Sequence, residues 1–315
     1  MSIRSFLTRE VRMRHLRLLI AIDDAGRLTR AAQMLHITQP ALSKALAEIE
    51  RALGTPLFDR SPQGLVATRA GTTLIRAARS ALGELDRASL ELHRPPTEAR
   101  RTMTVGSMPS GTYSLLAEAF ARFRSESVAS GLHDAVTFNV VDGQTPALLT
   151  QLVAGRLDLV LGSMGASALP AEIEATALYD DRMRLVVAPG HALSRTRTSD
   201  WERACEFPWV LQPAGHPTRI AFDRAVRRSG LTAPPVVYEA LPSDSAVGLI
   251  RALGAVGLLP GRLAQGLAAQ GLVKVLPGAA SDRLAVSLPV AVFVRRSSLG
   301  DTAVKALLQC LRAVV

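Results

Sequence analysis

The chain has 315 residues, 48% apolar and only 4% aromatic, which supplies cores of Leu, Val, Ile and Ala for two or three domains. Net charge is +10, and residues 1–101 hold 17 Lys and Arg against 10 Asp and Glu, an excess of +7. A basic N-terminal third favours a polyanionic partner, nucleic acid or an anionic membrane surface; a solvated basic face is the competing reading.

Two cysteines, Cys205 and Cys310, share no spacing with each other or with His, which excludes a disulfide framework and a zinc site. The apolar run Leu18 to Ile22 is bounded by Arg17 and Asp23, too short for a signal segment. Nowhere does an apolar run reach the roughly 18 residues of a membrane span. The expectation is a soluble, cytoplasmic protein in a reducing compartment.

Three helices are expected before residue 55. The first covers about Arg14 to Ala25. Thr29 is a candidate cap for the second, with Ala31, Ala32 and Leu35 on one face. Thr38 is a candidate cap for the third, Pro40 lies in its first turn, and Gly54 ends it. Leu42, Ala45, Leu46, Ile49 and Leu53 form its apolar stripe, which turns Gln39, Pro40, Ser43, Lys44, Ala47 and Glu48 outward. A short polar face at a helix N-terminus suits the DNA major groove, where Gln pairs with adenine and Lys with guanine or phosphate. An ordinary helical hairpin is the alternative.

"RSPQG" between two apolar runs predicts a hairpin wing with Arg60 near a phosphate backbone. Thr68 then caps a long helix to His93. Its Leu74, Ala78, Ala81, Leu85, Ala88 and Leu92 form a heptad seam, which predicts dimerisation; packing onto the same chain is the alternative.

Residues 12–70 resemble the N-terminal domain of LysR-type transcriptional regulators. The resemblance is carried by "LTRAAQMLHITQPALSKALAEIERALGTPLFDR" and "LVATRAG". It extends more loosely through almost the whole chain. It implies a winged helix-turn-helix, a linker-helix dimer that assembles to a homotetramer, and an effector domain with a two-lobe, periplasmic-binding-protein-like α/β fold. The family's DNA contacts fall on Thr38, Gln39, Pro40, Ser43 and Lys44. The wing position that is often basic is Gln63 here.

"RPPTEARR", Arg94 to Arg101, reads as a hinge. Beyond it strands alternate with helices, which predicts a largely parallel sheet. The expected division is residues 1–67 for DNA binding, 68–93 for the linker helix, 94–101 for the hinge and 102–315 for the effector domain. Lobe I takes 102–179 and 282–315, lobe II 180–281.

Ligands of open α/β sheets sit at the carboxyl ends of strands. "SMPSG" contributes Ser107 and Ser110, the latter opening a helix. "GQTP" contributes Gln144 and Thr145, with Thr145 as cap and Pro146 following. "LPSDSA" contributes Ser243, a further cap, and Ser245. Each is also explicable as capping alone. In the resemblance Ser110 and Thr145 fall on effector-contacting positions. The loop "LQPAGHPTR", with Gln212, Thr218 and Arg219, lies where the second lobe faces the ligand.

Three helix N-termini on one cleft predict a small anionic effector, most simply a carboxylate. The six histidines are scattered, and a loop residue such as His191 or His216 reads as solvated. The sequence holds no nucleophile elbow, P-loop or metal-ligand cluster, so neither an enzyme nor a cofactor is expected. A solute-binding protein would share the two lobes but not the helix-turn-helix. An architectural DNA protein would not need the α/β lobes. The expected partners are double-stranded promoter DNA, a small effector and further copies of this chain, with no membrane.

Overall fold

The computed structural model describes residues 10–61, 64–92, 101–126, 135–165, 168–195, 201–241, 244–277 and 286–315. Two compact units divide the chain: one runs to Ala99 and includes Thr150–Leu157, and the other holds Arg100–Leu149 and Asp158–Val315.

The first unit starts with helices α1 (Met13–Ala25), α2 (Leu28–Met34) and α3 (Gln39–Leu53). Gly26 and Gly54, at φ +65° and +70°, end α1 and α3 in the left-handed conformation that glycine adopts without strain. Helix α2 begins earlier than Thr29 predicts. Arg27 occupies the cap position without a side-chain bond, and Thr29 lies inside the first turn. Leu28 packs partly into the core, which draws the chain into the helix two residues sooner.

A two-stranded wing follows, β1 (Phe58–Ser61) antiparallel to β2 (Gly64–Ala67), and then α4 (Arg69–Leu92). Ala31, Ala32, Leu42, Leu46, Ile49, Leu57 and Ile75 are buried in one core. Each fully buried aliphatic side chain contributes ~1.5–3 kcal/mol. Thr68 caps α4 by accepting from Gly71 N at 3.0 Å, while its hydroxyl donates to Pro56 O at 2.9 Å. A Cβ on Gly71 would stand 1.9 Å from Leu57 O, so only glycine lets α4 touch the backbone before β1. Glu50 Oε1 accepts from Leu57 N at 2.7 Å and Phe58 N at 3.3 Å. These contacts give "PLF" and "TRAG" a common structural cause.

The seam on α4 divides. Leu74 packs against the core of its own unit and Ala78 is buried, as is Ile75 outside the seam. Ala81, Leu85 and Ala88 are exposed, and the Leu92 side chain lies outside the described residues. One-sided packing therefore accounts for the first turns of the seam only. His93, Gln63 and hinge residues 94–100 also lie outside the described residues.

In the second unit, β3 (Arg101–Ser107) leads into α5, an unbroken run of Pro109–Gly111, a π-helical Thr112–Leu116 and Ala117–Glu126. Then come β4 (Val136–Asp142), α6 (Thr145–Val153, whose residues from Thr150 on belong to the first unit), β5 (Leu159–Ser163) and the long β6 (Ile173–Val187). Lobe II adds α7 (Trp201–Ala204), β7 (Trp209–Leu211), α8 (Pro217–Arg228) and β8 (Val236–Glu239). It continues through α9 (Asp244–Ala252), β9 (Val256–Pro260), α10 (Gly261–Ala269) and β10 (Lys274–Val275). The chain finishes with β11 (Ser287–Arg295) and α11 (Thr302–Ala313).

Among the described residues of this unit the strands form one sheet in the order β4-β3-β5-β11-β6-β9-β7-β8, with β10 beside β6. β3 is parallel to β4 and β5, and β7 to β8 and β9. The sheet is mixed rather than largely parallel, because β6 and β11 run antiparallel to their neighbours. β6 joins the lobes. Its residues Ile173 to Arg182 pair with β11, and Met183 to Val186 pair with β9. The N-terminal half of β6 escapes sequence reading because Glu174, Asp180, Asp181 and Arg182 interrupt its apolar pattern. Lobe I packs around Met103, Leu115, Phe123 and Leu307, and lobe II around Trp209, Phe222 and Leu258.

Candidate functional site

In the first unit, the link from α2 to α3 is short because His36 takes φ +54° and Ile37 N reaches back to Ala32 O at 3.0 Å. Thr38 caps α3, its hydroxyl accepting from Ala41 N at 3.4 Å. Leu42, Leu46, Ile49 and Leu53 face the core. Thr38, Gln39, Pro40, Lys44, Ala47 and Glu48 are thereby exposed, and Ser43 is half-buried. Arg27 and Arg30 are also exposed around the start of α2, adding positive charge that the motif reading passed over. The side chain of Arg60 lies outside the described residues.

The second unit contains a cavity of about 350 Å³ between its lobes, at the small end of the ~300–1,000 Å³ usual for ligand sites. Helices α5, α6 and α8 all begin on it. Each has a proline in its first turn: Pro109, Pro146 and Pro217 all line the cavity. Proline presets the helical φ but carries no N–H. These helix starts therefore offer fewer donors than a generic N-terminus, and more apolar surface. Met183, Leu288 and Phe293 from the sheet, with Leu149, Leu169 and Leu241, add further apolar lining, as do Met108, Ala168, Pro170 and Pro260.

Among the expected effector residues, Ser110, Gln144, Thr145 and Thr218 line this one cavity. Ser110 is the second residue of its helix rather than the opening one, since Met108 holds the cap position. Thr145 is the first residue of α6 rather than its cap. Its hydroxyl instead accepts from Ser163 N at 3.0 Å, across to the end of β5.

Four expected residues do not line the cavity. Ser107 is fully buried behind it and donates to Met108 O at 3.0 Å. Gln212 donates to Leu258 O at 2.9 Å and ties β7 to β9. Arg219 pairs with Asp223 at 3.1 Å and Glu239 at 3.2 Å, so its charge is neutralised inside lobe II. Ser245 is exposed on α9. Ser243 lies outside the described residues.

Sequence reasoning missed Ser163 and His216. Ser163 carries no local signal, because only the fold brings β5 beside α6. His216 does have one, as the residue before Pro-Thr at a helix start. It is not simply solvated: Nδ1 accepts from Thr218 N at 3.3 Å, capping α8, and His216 is among the residues lining the cavity. Burial lowers its pKa, which keeps the imidazole neutral at neutral pH. His191 is also not solvated. Nδ1 accepts from Leu193 N at 3.1 Å, and Nε2 lies 3.0 Å from Gly254 O.

A helix-turn-helix with a wing, followed by a long helix and a two-lobed α/β unit around a small cavity, defines a DNA-binding regulator with a ligand-sensing domain. Residues 13–72 match the family model "Bacterial regulatory helix-turn-helix protein, lysR family", and residues 96–315 match "LysR substrate binding domain". The chain belongs to the LysR family: it is a DNA-binding transcriptional regulator with an effector-binding domain, not an enzyme.

It is 26% identical over 302 residues to the HTH-type transcriptional regulator PcaQ of Agrobacterium fabrum, covering 96% of this chain and 94% of that protein. It is 30% identical over 240 residues to the uncharacterized HTH-type transcriptional regulator YdcI of Escherichia coli, 76% of each. Its fold is similar to the crystal structure of ArgP from Mycobacterium tuberculosis, with a TM-score of 0.61, 19% identity and coverage of 95% and 96%. Among the described residues no helix is long and apolar enough to cross a membrane.

Proposed function

We propose that this regulator binds promoter DNA through the exposed start of α3 and releases or rearranges on it when a small carboxylate enters the cavity between the lobes. Thr38, Gln39, Pro40, Ser43 and Lys44 are the DNA-reading residues, with Arg60 on the wing. The exposed Ala81, Leu85 and Ala88 of α4 pair two chains, and two such dimers form a cytoplasmic homotetramer.

One observation carries the effector reading. Helices α5, α6 and α8 start on one small cavity that contains Ser110, Thr145 and Thr218, all at most 9% exposed. Donors and helix dipoles converging there favour an anion. A ligand that binds one lobe arrangement better than the other shifts the equilibrium between them, and with it the DNA-bound geometry.

The test is a thermal-shift screen of the full-length protein against small carboxylates, sulfonates and sugars, followed by promoter-binding assays with the stabilising compounds. Carboxylates should raise the unfolding midpoint. A responsive ligand that is neutral or cationic would overturn the reading.

A further inference from the structure

We infer that His216 is the second lobe's hydrogen-bond donor to the effector, and that the effector is a monocarboxylate on a compact apolar body. This rests on the effector reading above and narrows it.

The tautomer of His216 follows from its cap. A neutral imidazole has one donor and one acceptor. Nδ1 is the acceptor, because Thr218 N donates to it at 3.3 Å. The proton is therefore on Nε2, on the other side of the ring. Among the described residues Nε2 has no partner, and His216 is one of the residues that line the cavity.

Two hydroxyls are in the same condition. Ser110 of lobe I is 7% exposed and Thr218 of lobe II is 1% exposed; both line the cavity, and among the described residues neither hydroxyl has a partner. Buried polar groups are satisfied in folded proteins, so unpaired ones facing a cavity point to a ligand. Thr145 differs, since its oxygen already accepts from Ser163 N.

The class of ligand follows from what else lines the space. Among the described residues no Asp, Glu, Lys or Arg side chain does so. A dianion buried there would lack a full counter-charge, and burial of uncompensated charge is strongly unfavourable. A cation would meet the positive ends of three helices and no carboxylate. A single carboxylate suits neutral donors: the Ser110 and Thr218 hydroxyls and His216 Nε2–H. The rest of the ligand must match the three prolines and the Met183, Leu288 and Phe293 floor in about 350 Å³. One ring or one branched chain meets that demand.

The experiment uses the full-length protein with benzoate and 3-methylbutanoate as probes, and benzamide, benzylamine and phthalate as controls, each at millimolar concentration. Unfolding midpoints and calorimetric affinities are measured for the wild type, His216→Asn and Ser110→Ala. Asn is a good helix cap, so His216→Asn preserves the bond to Thr218 N and the ligand-free midpoint, but its side chain is too short to replace Nε2.

A monocarboxylate should raise the midpoint while the controls do not. His216→Asn should weaken it by roughly tenfold to a hundredfold, the loss expected for a bond to a charged group. If Ser110→Ala weakens binding and His216→Asn does not, His216 is not the donor, although the cavity remains the effector site. If phthalate binds and the monocarboxylates do not, the ligand class is overturned while the carboxylate reading survives. If no carboxylate binds, both are overturned.

Discussion

The Thr145 hydroxyl accepts a hydrogen bond from the Ser163 amide at 3.0 Å, joining the first residue of α6 to the last residue of β5. The same side chain lies against Gly162, where a Cβ would stand 2.6 Å from Thr145 Oγ1. A residue expected to cap its own helix instead fixes one wall of the cavity, which leaves the hydroxyl proton for a ligand or for Ser163 Oγ at 3.5 Å.

Thr145→Val keeps the shape but leaves the Ser163 amide without its acceptor. The loss should be about 1–3 kcal/mol of stability, together with effector binding. Urea denaturation of the ligand-free chain checks the first part and calorimetric titration the second. Thr145→Ser should retain most of both. Equal behaviour of the Val and Ser variants would mean that the hydroxyl does not matter.

Gln39→Ala should cost about 1–3 kcal/mol on the cognate operator and little on random DNA. Fluorescence anisotropy with both duplexes distinguishes base reading from backbone contact, since a backbone contact loses equally on the two. Lys44→Ala should reduce the salt slope of binding by about one if Lys44 meets a phosphate.

Leu85 is 47% exposed on α4, between the exposed Ala81 and Ala88. Leu85→Glu places a charge on the proposed pairing face and should shift the full-length protein toward monomer in sedimentation velocity. A wild-type protein that is already monomeric at high concentration would show that this stretch pairs with nothing.

Gly71→Ala should destabilise the DNA-binding unit by about 1–3 kcal/mol or more, because the added Cβ meets backbone at Leu57 that cannot turn aside. Circular dichroism melts report the loss. An unchanged melting curve would mean that α4 can lift from the strand at no cost.

His191 makes stability depend on pH. Burial is the main cause that lowers its pKa below the ordinary 6.5, against the opposing bond to Gly254 O. A proton on Nδ1 would displace the Leu193 N–H bond. The unfolded state thus takes up the proton more readily than the folded state. Stability from this group is full above about 6.5 and declines as pH falls through the folded value. The midpoint of the wild type should drop more between neutral and mildly acidic pH than that of His191→Gln.

The sequence by itself determined what is local. Thr38, Pro40 and the 42, 46, 49, 53 stripe set the position and facing of α3, because capping and helical periodicity act within one helix. The strand–helix alternation after residue 101 marked an α/β unit, and the strand ends carried Ser110, Gln144 and Thr145 to the cavity. What joins distant segments was left to the tertiary structure. It antiparallel-paired β6 with β11, since strand direction depends on which strands meet and not on either alone. It set Ser163 opposite Thr145, and placed on the cavity wall a residue, His216, whose local pattern marks only a helix start. It also took Arg219 of α8 away from the cavity, because Glu239, twenty residues on in β8, joins Asp223 in balancing its charge.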